Sequence, residues 1–336
     1  MLNITNGDSA ADLIRESGIA GDVLPWRDPM HHGPFPEGLD LDALSRLRIQ
    51  YLTGGSEGKP GSTHQFCERD DILRQSVNED EVVLWFEHDL LDQLQILQLL
   101  DWYKQSENRK CRLTLICINT FPGIDNFRGL GQLSPAQIAT LFPSRKEVDQ
   151  SAFDYASKVW KSFRQSNPNA LTQFLPQLSA AQTPLPFLPD TLLRHCQEYP
   201  WHTDGLTRTE RQILTLVNAG IETPGKLFVE NMAPEQYLYV GDARTYSIIE
   251  SLCNVEDPLL KTKDGKPFRH PYTERDAGLA RLQRLELTDA GRDLLSSNSK
   301  NGERRKRDEW LGGVHLKSGK SLWLWNDLDQ SFVHAA

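Results

Sequence analysis

The stretch Val82-Val83-Leu84-Trp85-Phe86-Glu87-His88-Asp89 decides how the first half of the chain folds. Its first five residues are all apolar, which is typical of a strand that is covered on both faces inside a parallel sheet. An apolar helix is predicted directly after it, from Leu90 to Tyr103, and a further strand from Arg112 to Ile118. Strand, helix and strand in this order predict a parallel βαβ unit.

The residues before this unit predict two more strands. Leu2 to Thr5 and Asp22 to Trp26 are short apolar segments, separated by a helix that runs to about Ser17. Asp8 or Ser9 is expected to cap that helix. We therefore predict an α/β fold with a Rossmann-like, mostly parallel sheet in the N-terminal domain. The pattern also predicts a helix over Leu41–Leu52, a Gly/Ser-rich loop over residues 53–63 and a capping box at Ser134-Pro135-Ala136-Gln137.

The C-terminal part has a different order of elements. The pattern predicts three helices, two strands and a helix, which is the order of a winged helix-turn-helix. These elements begin at Thr207, Thr223, Asp242, Pro258, Leu282 and Thr288. A last hairpin is predicted from Val314 to Trp325 around Ser318-Gly319. The predicted domains are an α/β domain with a ligand site at 1–150, a helical connector at 151–205, a winged-helix-like module at 206–298, and a basic loop with a hairpin at 299–336.

Composition limits the class of protein. The chain has 336 residues, of which 38% are hydrophobic and 25% charged. No apolar run approaches the roughly 20 residues that span a bilayer. The first residues show no basic leader or apolar signal core, and none of the five cysteines forms a Cys-x-x-Cys pair. A cytoplasmic protein with no membrane contact is therefore expected.

The net charge is unevenly distributed. Residues 1–150 contain 23 of the 46 Asp and Glu but only 14 of the 37 Lys and Arg, so they carry the whole net charge of −9. This acidity disfavours non-specific nucleic-acid binding by the first half. It leaves the binding of a metal or a cationic group open.

Polar residues of the first half come directly after the predicted strands. Ligands of open parallel sheets bind outside the carboxyl ends of the strands. We therefore expect four loops to meet at one edge if the strands are parallel. They contribute Asn6, Gly7, Asp8 and Ser9, then Arg27, Asp28 and His31, then Glu87, His88, Asp89 and Asp92, and finally Asn119, Pro122 and Gly123.

These residue types suggest specific roles. His88 would act as an acid or base oriented by Glu87 or Asp89, because imidazole titrates near neutral pH. Asp8 and Asp28 would position a ligand or a divalent metal, the one cofactor that the carboxylates and His31 suggest. In the competing interpretation, Asp8 and Asp89 only cap helices and His88 is a structural residue at a strand end.

The predicted winged-helix-like module raises DNA as an alternative partner. Its third helix offers Arg244 but also Asp242 and Glu250, so the charge distribution disfavours this partner. A basic run comprises Lys300, Arg304, Arg305, Lys306 and Arg307. We interpret this run as a solvated loop.

Several of these stretches resemble one bacterial family, domain-of-unknown-function family 1835. The similar segments include Thr5-Asn6-Gly7-Asp8, Trp26-Arg27-Asp28, Glu68-Arg69-Asp70, Leu84 to Leu94, Phe121-Pro122-Gly123, Gly129-Leu130-Gly131 and Trp310 to Leu316. The resemblance extends over nearly the whole chain and implies a family without an activity. His32 departs from it, because the family usually has an acidic residue there.

The leading hypothesis is an enzyme-like domain that binds a small polar, phosphorylated or nucleotide-like ligand and carries out metal-assisted hydrolysis. Asn6 and Gly7 would present backbone hydrogen-bond donors, Ser9 is a further ligand-binding candidate, and Arg27 would neutralise an anionic group. The alternatives are a ligand-responsive DNA-binding regulator and a non-catalytic adaptor. A homo-oligomer is left open by the sequence.

Overall fold

The computed structural model describes residues 1–54, 60–176, 183–237, 241–272, 277–296, 306–319 and 322–335. The chain forms two compact units. The first comprises Met1–Leu192 with Glu309–His315, and the second comprises Leu193–Asp308 with Leu316–Ala336. The division of the sequence into four segments is finer than this and stays a prediction.

A five-stranded sheet forms the centre of the first unit. The strands in the first 150 residues are β1 Leu2–Thr5, β2 Asp22–Pro25, β3 Gly33–Pro34, β4 Glu81–Glu87, β5 Arg112–Ile118 and β6 Lys146–Glu147, and all but β3 belong to this sheet. The sheet has the order β2-β1-β4-β5-β6. β1 pairs in parallel with both β2 and β4, β4 pairs in parallel with β5, and β6 is antiparallel to β5. The predicted α/β fold with a mostly parallel sheet is confirmed.

Helices of the first unit cover both faces of this sheet. They are α1 Asp8–Glu16, α2 Leu41–Leu52, α3 Pro60–Gln75, α4 Leu90–Gln105, α5 Pro135–Leu141, α6 Gln150–Phe163, α7 Asn169–Thr172 and the beginning of α8 Leu188–Cys196. One core joins Val83, Trp85 and Ile116 of the sheet to Ile14 of α1 and Ile138 of α5. On the other face, α4 packs against β4 and α6.

Helix α4 is buried on nearly all sides, including its polar residues. Gln98 accepts a hydrogen bond from Trp26 Nε1, and Gln95 donates one to the carbonyl of Asp28. Asp101 accepts a hydrogen bond from the Ser157 hydroxyl on α6. These hydrogen bonds help to hold the helix, because burying a polar group without a partner is costly.

A buried ion pair holds the segment after β2. Arg48 of α2 donates from Nε and Nη2 to Asp28, and each of the two side chains is 1% exposed. The same guanidinium donates to the carbonyls of Pro29 and His32 and lies 4.2 Å from the centre of the Phe35 ring. The chain between β2 and α2 is therefore ordered by one arginine. The short strand β3 lies in this segment and pairs in parallel with residues 311 and 312.

The second unit contains the elements predicted after Gly205. They are α9 Arg208–Asn218, α10 Pro224–Met232, α11 Asp242–Cys253, β7 Leu260–Thr262, β8 Leu285–Leu287 and α13 Asp289–Ser296. A short helix that was not predicted, α12 Ala277–Ala280, lies between β7 and β8. β7 and β8 are antiparallel. The capping box of Thr207 and Glu210 is present, as is that of Ser134 and Gln137 in the first unit.

Three local predictions are wrong. Gly7 caps α1 and makes no side-chain cap, so Asp8 and Ser9 lie inside the helix. The stretch predicted as a loop over 53–63 enters α3 at Pro60, and its residues 55–59 lie outside the described part of the chain. The last strands, β9 Asp308–Gly312, β10 Val314–Lys317, β11 Leu322–Asn326 and β12 Ser331–Ala335, do not form the predicted hairpin, because β10 pairs with β9 and β11 pairs with β12.

Among the described residues, no helix combines the length and the apolar character needed to cross a membrane.

The Arg48–Asp28 pair yields a stability prediction. Asp28→Asn leaves the Arg48 charge buried without its counter-ion, so we expect the free energy of unfolding to fall by about 3–5 kcal/mol. Asp8→Asn breaks a pair whose side chains are 37% and 63% exposed, so its loss should stay within about 1 kcal/mol. Urea denaturation followed by circular dichroism measures both. Equal losses would contradict the assignment of Arg48–Asp28 as the structural pair.

Candidate functional site

The carboxyl ends of β1, β2, β4 and β5 lie at one edge of the sheet. The register of these parallel strands aligns Thr5 of β1 with Pro25 of β2 and with Trp85 of β4, and Glu87 of β4 with Ile118 of β5. The polar loops that follow these strands therefore begin at a common edge. This is the arrangement on which the predicted site depends.

Three acidic residues come together at this edge, and we call them the carboxylate cluster: Glu87, Asp89 and Asp92. Glu87 is the last residue of β4, Asp89 caps α4, and Asp92 lies in the first turn of α4. One ligand oxygen from each lies within 4.8 Å of the others. Two oxygens on opposite sides of a cation at about 2.4 Å are about 4.8 Å apart, so this spacing suits a divalent cation.

Hydrogen bonds fix the positions of these carboxylates. Asn6, which follows β1, donates from Nδ2 to Asp92 Oδ1 at 2.9 Å. The Glu87 amide donates to Asp92 Oδ2 at 2.6 Å, and the Asp92 amide donates to Asp89 Oδ1 at 2.9 Å. Asp92 therefore connects the ends of β1 and β4 through direct hydrogen bonds.

A glycine-containing loop covers Glu87. The amide of Leu130 donates to Glu87 Oε1. A Cβ at residue 129 would lie 2.3 Å from Glu87 Oε2, and one at residue 131 would lie 2.8 Å from Ser9 Oγ. Only glycine permits this approach at residue 129. The segment Gly129-Leu130-Gly131, which is too short for a dinucleotide-binding motif, packs here against Glu87 of the carboxylate cluster.

Burial raises the pKa of all three carboxyl groups. Burial, followed by repulsion from Asp89, raises the pKa of Glu87 to about 8 despite hydrogen bonds from Leu130 and Asn6. Burial also raises the pKa of Asp89 to about 6. The pKa of Asp92 is well above its ordinary value because of burial and the charges of Glu87 and Asp89. The cluster therefore holds protons near neutral pH that ordinary carboxyl groups would have lost.

Glu81, at the opposite end of β4, is a buried acid whose pKa is lowered and not raised. Burial acts to raise the pKa of Glu81, but hydrogen bonds from Arg145, Arg112 and Thr114 bring it down to about 2. Within the described residues, no lysine or arginine forms an ion pair with Glu87, Asp89 or Asp92. Burying acids without a basic partner costs stability, and such groups concentrate at functional sites.

The other predicted site residues on β1 and β2 are paired with arginines. Asp8 accepts hydrogen bonds from Arg27 at the exposed rim, where hydrogen bonding to Arg27 lowers the pKa of Asp8. Arg27 has a left-handed backbone with φ of 57°. Asp28 is bound by Arg48, as described above. His31 is buried, and its ring lies 4.8 Å from that of His32.

His88 is also buried and lies between two members of the cluster in sequence. The centre of its ring is 6.1 Å from that of Phe187, at an interplanar angle of 72°. Gln93, one residue after Asp92, donates to the carbonyl of Glu87 and to Cys117 Sγ on β5. Gln93 and Phe187 were not predicted, because their roles depend on which strand lies beside β4.

A scan against protein-family models and a search of curated proteins both find no match for this chain. The resemblance to domain-of-unknown-function family 1835 therefore stays a prediction. The candidate site depends on its geometry alone.

The raised pKa of Glu87 predicts how stability changes with pH. The folded chain holds the Glu87 proton more tightly than the unfolded chain between about pH 4.5 and 8. The contribution of Glu87 to folding stability is therefore greatest below pH 4.5 and declines as the pH rises to 8, by up to about 1.4 kcal/mol per pH unit. Glu87→Gln, studied by urea denaturation in metal-free buffer, should remove this part of the decline.

Glu81→Gln is the matched control on the same strand. The pKa of Glu81 is lowered to about 2, so the ionised Glu81 contributes its full stabilisation from pH 5 to 8. Glu81→Gln should therefore lower the free energy of unfolding by the same amount at every pH in this range. If Glu87→Gln shifts stability by the same amount at every pH, the raised pKa of Glu87 is refuted.

Proposed function

We propose that the first unit is a cation-dependent hydrolase that acts on a small polar or phosphorylated molecule at the carboxylate cluster. The observation that carries this proposal is the convergence of Glu87, Asp89 and Asp92 within 4.8 Å, without a basic partner among the described residues. Two other buried acids of this unit, Asp28 and Glu81, are each paired with an arginine.

A fully buried hydroxyl beside the cluster supports a ligand at this edge. Thr5 is the last residue of β1 and is 0% exposed, and its hydroxyl has no hydrogen-bond partner among the described residues. Thr5 pairs with Trp85, two residues before Glu87, so Thr5 and Glu87 lie on the same face of the sheet. Buried polar groups normally have a partner, so this hydroxyl favours a ligand or water at the strand ends.

Each residue has a proposed role. Glu87, Asp89 and Asp92 would hold the cation, which when bound would polarise the scissile group and activate a water molecule. Asn6 would keep Asp92 in place. His88 would transfer a proton during hydrolysis, as its position between the acids allows. The pair of Arg27 and Asp8 lies at the rim, where Arg27 would neutralise an anionic part of the substrate.

Titration with Mn²⁺ tests the cation site directly. We expect saturable binding by isothermal titration calorimetry that tightens from pH 6 to pH 8, because the cation must displace protons from the cluster. Asp92→Asn should weaken binding by at least about tenfold. Asp101→Asn is the matched control, because Asp101 is a buried acid on the same helix that hydrogen-bonds Ser157 away from the cluster.

His88→Gln separates catalysis from cation binding. It should retain Mn²⁺ affinity and lose Mn²⁺-dependent hydrolysis of p-nitrophenyl phosphate or AMP. Equal Mn²⁺ affinity in Asp92→Asn and Asp101→Asn would refute the cation site. Hydrolysis at the same rate in His88→Gln would refute the role of His88.

A ligand-responsive DNA-binding regulator is the second candidate function. We propose a winged-helix-like arrangement for the second unit, supported by mutual contacts among α9, α10 and α11 and by the antiparallel pair of β7 and β8. Its third helix, α11, begins with Asp242, which lies 3.8 Å from Arg281 and accepts a hydrogen bond from Tyr272. An acidic residue at this position disfavours DNA phosphates, so a protein contact is the favoured role for the module.

Gel shifts test this second candidate. We expect no shift of a random duplex at 50 mM salt, because α11 carries only Arg244 against Asp242 and Glu250. A salt-dependent shift that is lost in the double variant Arg244→Ala with Arg304→Ala would support the regulator instead. Arg304, like Lys300 and Arg305 of the basic run, lies outside the described residues.

A further inference from the structure

A cleft of 650 Å³ opens in the first unit beside the last residues of β5. Leu115, Cys117 and Ile118 of β5 form one wall, and Pro186 and Phe187 form another. Phe187 and the three β5 residues are half-buried, so part of each side chain remains accessible to a ligand in the cleft. Ligand sites for small organic molecules typically have volumes of about 300–1,000 Å³ and apolar walls of this kind.

Two residues connect this cleft to the carboxylate cluster. Gln93 lines the cleft and donates from Nε2 to the Glu87 carbonyl at 2.8 Å. Phe187 lines the cleft and contacts the ring of His88. A molecule that lies in the cleft therefore has one end next to the residues to which catalysis is assigned.

The charges around the cleft restrict its occupant. Lys146 is its one lysine or arginine in the described part of the chain, and Glu147 and Asp149 oppose it. A polyanion is disfavoured by this balance, whereas an uncharged flat ring fits the apolar walls. The half-buried Phe187 ring offers such a molecule an aromatic contact.

We propose that this cleft binds the uncharged, planar ring of a small-molecule substrate, a heteroaromatic base or an aryl group, and directs its polar end to His88 and the carboxylate cluster. The direction of the polar end rests on the proposed hydrolase function. The binding of the ring does not, because Phe187 and the walls formed by β5 make no use of a cation.

Adenosine and 2-naphthol are suitable probes, used with the full chain in metal-free buffer. We expect saturable binding of at least one of them by saturation-transfer NMR. Phe187→Ala should weaken that binding by about tenfold, the loss expected for one aromatic contact. Ser151→Trp should abolish it, because Ser151 is an exposed residue of the cleft wall whose replacement fills the space.

Gln150→Trp is the matched control, since Gln150 is exposed at the neighbouring position of α6 and does not line the cleft. Thermal melting checks that every variant is folded. The inference is overturned if neither probe binds, or if both tryptophan variants bind the probes as the parent does.

Asp92→Asn separates this inference from the proposed function. It should bind the ring probe with unchanged affinity while it loses Mn²⁺. Ring binding without Mn²⁺ binding in the parent would overturn the hydrolase proposal alone, and Mn²⁺ binding without ring binding would overturn the cleft alone.

Discussion

The parallel pairing of β1 with β4 is the constraint on which the first unit depends. It joins two segments about 80 residues apart, and it aligns Thr5 with Trp85. β1 has only four residues, so its position is reinforced by side chains. Asn3 donates to the carbonyls of Ala20 and Asp22 and accepts from Trp85 Nε1. A buried asparagine with three partners fixes the register more strictly than an apolar residue would.

This register places Asn6 within hydrogen-bonding distance of Asp92. A shift of one residue would turn Asn3 to the opposite face of the sheet and would move Asn6 away from α4. The geometry of the carboxylate cluster is therefore a consequence of strand pairing. The local sequence around Glu87 does not determine it alone.

The sequence predicted the elements well where a local pattern determines them. The apolar run of β4, the capping box before α5 and the one before α9 each depend on neighbouring residues, and all three are present. Partners distant in sequence were not predicted. Arg48 binds Asp28 from twenty residues away, and Leu130 reaches Glu87 from forty-three. No periodicity marks such pairs, because they follow from the order of strands and the path of loops.

The same reason explains why the sequence did not show how the predicted site residues are divided between different partners. The sequence suggested that Asp8, Asp28 and His88 act together, because each follows a strand. In the structure, two arginines compensate the acids on the β1 and β2 side, whereas Asn6 and a loop amide contact the acids after β4. The predicted last hairpin is wrong for a similar reason. Its two halves, β10 and β11, pair with β9 and β12 and not with each other.

The two ends of β4 show how an arginine partner separates a structural buried acid from a candidate functional one in this protein. Glu81 and Glu87 are both buried acids on one strand, and arginines bring the pKa of Glu81 to about 2 while the pKa of Glu87 is about 8. The protein thus compensates the buried acids Asp28 and Glu81 with arginine and leaves the cluster without such compensation. An uncompensated charge costs stability in the unliganded protein, and a bound cation would recover that cost as binding free energy. Two residues that line the adjoining cleft, Gln93 and Phe187, contact Glu87 and His88, so an apolar space beside β5 adjoins the acids that lack a basic partner.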